Sequence, residues 1–178
     1  MKWFSERKNK RGLFTAREFL IHLDNPMRYQ VCQGATVNAF IYKALTDASY
    51  LAGELGRKVE SDRYKQEAER LKSAFNCLMW DKNSGSFYSA VYYPDFSEGE
   101  RLPELKLVPV EDPASVSTKW HDGNVQWIEK DEKIPPTVQA ALVALNKEIV
   151  SDEHISDVRK YLITHSGELK NPFSEIRV

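Results

Sequence analysis

Acidic and indole side chains gather in one stretch of this sequence. Glu98, Glu100, Glu104, Glu111, Asp112 and Asp122 lie between residues 94 and 136, together with Trp120 and Trp127. Two carboxylates flanking a bond can protonate a leaving oxygen and activate water, which is the chemistry of glycoside hydrolysis. An indole offers a flat apolar face that complements the C–H face of a sugar ring. Trp120, Asp122 and Trp127 are therefore candidate substrate-binding residues. A second group, Asp24, Asn25 and Arg28, sits in the polar run 22–30, just before the strongest helical pattern. Polar residues leading into a helix suit a ligand site at the mouth of a scaffold. Each group has a plainer alternative. Acidic side chains in loops are mostly solvated, tryptophans at loop bases mostly close a core, and Asp24-Asn25-Pro26 also makes a turn. Trp80 continues an apolar stripe from Phe75 and reads as structural. No catalytic residue is assigned.

Other chemistries find no support. His22, His121, His154 and His165 show no metal-ligand spacing, so neither metal nor cofactor is expected. No phosphate-cradling glycine loop and no nucleophile elbow occurs. Net charge is −1, from 25 basic and 26 acidic residues. That balance creates no field to draw nucleic acid or an anionic membrane. The short basic start, Arg7 to Arg11, reads as a solvated or frayed end. Cys32 and Cys77 cannot build a disulfide framework and read as small buried apolar residues, with a single bridge between them as the alternative. No signal-like or membrane-spanning run appears, so the expectation is a cytoplasmic protein, or an undetermined compartment if the chain is part of a secreted one.

The elements that must position these residues are mainly helical. Val37, Phe40, Ile41, Ala44, Leu45, Ala48, Leu51, Ala52 and Leu55 recur at helical spacing over 36–55, with Gly56 as a left-handed cap. Ser61 reads as the N-cap of a second helix, whose stripe is Tyr64, Ala68, Leu71, Phe75 and Leu78. So short a connection forces the two to pack antiparallel. Residues 86–93 have the β-branched and aromatic character of a strand. Residues 94–134 form an irregular Pro-rich excursion with one or two short strands. A second helical pair follows, opened at Pro136 or Thr137 and again at Ser151, with Val138, Ala141, Leu142 and Leu145 on one face and Gly167 as the stop. Residues 14–23 read as a further short helix. All 178 residues are expected to form one domain or part of one.

These pieces resemble the six-hairpin (α/α)6-barrel glycosidases of the α-L-rhamnosidase type. Asn38-Ala39-Phe40-Ile41-Tyr42-Lys43-Ala44-Leu45 with Leu51-Ala52 and Leu55-Gly56 is similar to one helix of that family. Tyr64, Phe75-Asn76, Trp80-Asp81, Gly85 and Phe87-Tyr88 are similar to its next helix and turn. Gln139-Ala140-Ala141-Leu142 and Ile149-Val150 continue the match, while His22 stands where the family's early segment carries tryptophan. The resemblance implies antiparallel hairpins of a partial (α/α) toroid with short β excursions, and an inverting hydrolase acting on a carbohydrate. Such enzymes place a general acid and base about 6.5–9.5 Å apart. In the family the acid lies upstream and the base downstream of the segments matched here. Hence the chain alone is expected to lack both, and to pair with the rest of a barrel or with itself. The alternative is a non-enzymatic helical-repeat scaffold, although the two hairpins begin about 100 residues apart rather than at the ~34-residue period of such repeats.

Overall fold

The computed structural model describes residues 8–17, 31–92 and 132–167. Most of these residues are helical, and the helices pair as antiparallel hairpins with short strands between them. Helix α1 (Ala35–Glu54) and helix α2 (Lys58–Leu78) form the first hairpin. Its turn is unusually tight because α1 ends in a Schellman motif. Arg57 N donates to Ala52 O at 2.8 Å and Gly56 N to Gly53 O at 2.9 Å. Gly56 takes φ of +71°, as the sequence predicts.

That closure moves the second helix forward. Arg57, not Ser61, is the N-cap of α2, and Ser61 lies inside the helix. Freed from capping, Ser61 cross-links the hairpin instead. Its Oγ donates to Ser49 O at 2.8 Å, and Ser49 Oγ donates to Ser61 O at 2.9 Å. Small hydroxyls let the two backbones approach while satisfying each other.

The sheet gathers around one strand. Strands β1 (Ala16–Arg17), β2 (Val31–Gly34), β3 (Trp80–Asp81), β4 (Ser86–Tyr92) and β5 (Glu132–Pro136) pair only antiparallel. β4 is the hub. It pairs with β3 at Phe87 and Ser86, with β2 at Ala90 and Val91, and with β5 from Tyr88 to Tyr92. Pro135 and Pro136 are tolerated because β5 has no second partner among the described strands. β2 runs straight into α1 through Gly34, and β5 runs into α3 (Val138–Asn146) through Thr137. Both helices therefore start from one sheet, and α2 returns to it through β3. Helix α4 (Asp152–Thr164) completes the second hairpin.

One core joins these parts. Leu13, Phe14, Ala39, Leu45, Leu71, Phe75, Met79, Phe87, Val91, Ala141, Ile149 and Val158 belong to a single buried cluster. The stripe expected on α2 is the one buried: Ala68, Leu71 and Phe75 are inaccessible, with Tyr64 and Leu78 packed at its edge.

Several expectations are corrected. Helix α1 is apolar on more of its circumference than the hairpin covers, so Phe40 (47% exposed), Leu51 (58%) and Leu55 (71%) face outward, as does Leu142 of α3. Phe14 is not helical. It bridges Lys8, its backbone N–H and C=O are both held by the Asn38 side chain, and Ala16–Arg17 is strand β1. Residues 18–23 lie outside the described residues. Residues 8–12 form a closed turn rather than a frayed end, since Asn9 N donates to Leu13 O at 2.8 Å and Gly12 N to Asn9 O at 3.0 Å. Cys77 is exposed and free, not buried, because it lies off the α2 stripe. Helix α4 ends at Thr164 with His165 as its cap, ahead of Gly167. Ser151 is the N-cap residue of α4 as expected, but its side chain caps nothing; its backbone N–H is taken by Asn76 instead.

Candidate functional site

Where α1 and α3 leave the sheet, several polar side chains are held by hydrogen bonds. Asn38, fully buried on the first turn of α1, uses its whole carboxamide: Oδ1 accepts from Phe14 N at 2.8 Å, and Nδ2 donates to Phe14 O at 3.0 Å and Gly34 O at 2.8 Å. A buried amide so completely satisfied fixes the helix start against the segment that leads into β1. Gln33, on β2, is equally buried and donates from Nε2 to Thr15 Oγ1 at 2.9 Å.

On the other side of the sheet, Thr137 caps α3, accepting from Ala140 N at 3.3 Å. Ser89 of β4 donates to Pro135 O, which ties β4 to the entry of α3. The turn between β3 and β4 is organised by Asp81, whose Oδ1 accepts from Asn83 N at 3.1 Å and from the Tyr88 hydroxyl at 3.3 Å. Gly85 closes it at φ +69°. Burial, and then the Asp81 carboxylate, raise the Tyr88 phenol above its usual range. The ammonium of Lys133 stands 4.9 Å from the Tyr88 ring centre.

Beneath this turn the aromatic residues pack in layers. Trp80 stacks on His154 at 3.8 Å with the planes 13° apart, and meets Phe87 edge-on at 5.0 Å. Trp80 is thus structural, as the sequence suggested. His154 is held by aromatic packing, and among the described residues no group of three His, Cys, Asp or Glu side chains could hold a metal ion.

Chemically, the hydrogen bonds seen here hold the turn and the helix starts in place. Asp81, the acid of that turn, is committed to a backbone N–H and a phenol. The sequence-predicted binding residues Asp24, Asn25, Arg28, Trp120, Asp122 and Trp127 all lie outside the described residues. What the structure does show is the frame around them. β1 and β2 bracket the first group in sequence, β4 and β5 bracket the second, and all four strands belong to one sheet. Asn38 and Tyr88 entered the sequence reading only as members of runs resembling the glycosidase family, with no positioning role, and Gln33 did not enter it. A further signal was that they are polar residues on otherwise apolar elements.

No protein-family profile matches the chain, and no curated protein matches it. Among solved structures the chain is similar to the crystal structure of a GH78 family rhamnosidase of Bacillus sp. GL1, with 18% identity and a TM-score of 0.58. The similarity covers 90% of this chain and 13% of that one. The chain thus spans about an eighth of the rhamnosidase it matches, and what the two share is the fold.

Proposed function

We propose that this chain is a wall segment of a glycoside hydrolase of the α-L-rhamnosidase type, carrying substrate-binding residues for a catalytic centre completed by other parts of the enzyme. One observation carries the reading: the sequence runs that contain Asp24, Asn25 and Arg28 and, later, Trp120, Asp122 and Trp127 are each preceded and followed by strands of a single sheet from which α1 and α3 depart. Loops set on such a rigid base are where substrate contacts are usually found. The likeness to a rhamnosidase fold supports it. So does the outward apolar face of α1, which suits a helix that has further helices beside it in an (α/α) toroid.

On this reading a general acid outside the chain protonates the glycosidic oxygen and a general base activates water, with inversion at the anomeric carbon. The tryptophans stack on the sugar and the polar residues orient its hydroxyls. The test is to express the intact gene product and assay it on aryl α-L-rhamnosides and related glycosides, following the anomer released by NMR. Hydrolysis with inversion is expected, and loss of affinity when Trp120 or Trp127 becomes alanine. A folded product inert across the panel overturns the proposal.

A further inference from the structure

We draw no further inference here: the strongest candidate, the outward apolar face of α1 formed by Phe40, Leu51 and Leu55, carries nothing new because nothing in the structure shows what covers it beyond the barrel helices already proposed.

Discussion

The side chain of Asn76 on α2 and the backbone of Ser151 at the start of α4 are 75 residues apart in sequence, yet Asn76 Oδ1 accepts the Ser151 N–H at 2.8 Å. The same carboxamide donates from Nδ2 to Ile149 O at 2.7 Å and to Lys72 O at 2.8 Å. One buried amide thereby binds the first hairpin to the connection inside the second. It satisfies a helix-terminal N–H that the Ser151 hydroxyl leaves alone.

Replacing Asn76 should therefore cost more than its size suggests. Asn76→Leu keeps the branched outline but orphans the Ile149 carbonyl and the Ser151 N–H, and a loss of about 2–4 kcal/mol is expected from two unmade buried hydrogen bonds. Urea unfolding followed by far-UV circular dichroism measures it. A loss below about 0.5 kcal/mol would show that water replaces the amide without penalty.

Phe75→Ala tests the apolar stripe itself. Phe75 is fully buried and lies 4.8 Å from Phe87, centre to centre. Truncation leaves a cavity between α2 and β4, and about 3–5 kcal/mol should be lost. An unresolved shift in the denaturation midpoint would mean that the stripe does not form the core.

The hairpin turn makes a finer distinction. Ser61→Ala should cost about 1 kcal/mol through its lost bond to Ser49 O, and Ser49→Ala about as much through its lost bond to Ser61 O. The 3.3 Å contact between the two hydroxyls is what they share, so the double change should cost slightly less than the sum of the singles. Strict additivity in that double-mutant cycle would separate the two hydroxyls. Gly56→Ala, by contrast, meets no atom within 4 Å, so its expected cost of about 1–2 kcal/mol is conformational alone.

Alkaline stability should depend on Tyr42. Burial, then the carboxylates of Glu69 and Glu148, raise its phenol above the ordinary value of 10.0. The folded protein thus holds this proton more tightly than the unfolded chain does. Its contribution is complete below pH 10 and is lost as pH climbs from there toward the folded-state value. Tyr42→Phe should flatten the fall in unfolding free energy above about pH 10. An unchanged slope would place the alkaline sensitivity elsewhere.

The helices, their order and the tight first turn were legible in the sequence, because they arise from local interactions. Apolar spacing of three and four, a glycine able to take positive φ, and a β-branched aromatic run after Gly85 each determine their own few residues. Which apolar residues of α1 are covered was not legible. Phe40, Leu51 and Leu55 satisfy the helical pattern as well as Leu45 does, and only the placement of α2 and α3 decides that Leu45 is buried and the others are not. Likewise Ser61 has the composition of a cap and Phe14 that of a helical residue. The Schellman closure reassigns the first, and the Asn38 carboxamide claims the backbone of the second. Tertiary structure also decided that two hairpins so far apart in sequence share a sheet through β4, since strand pairing depends on partners that no local window contains.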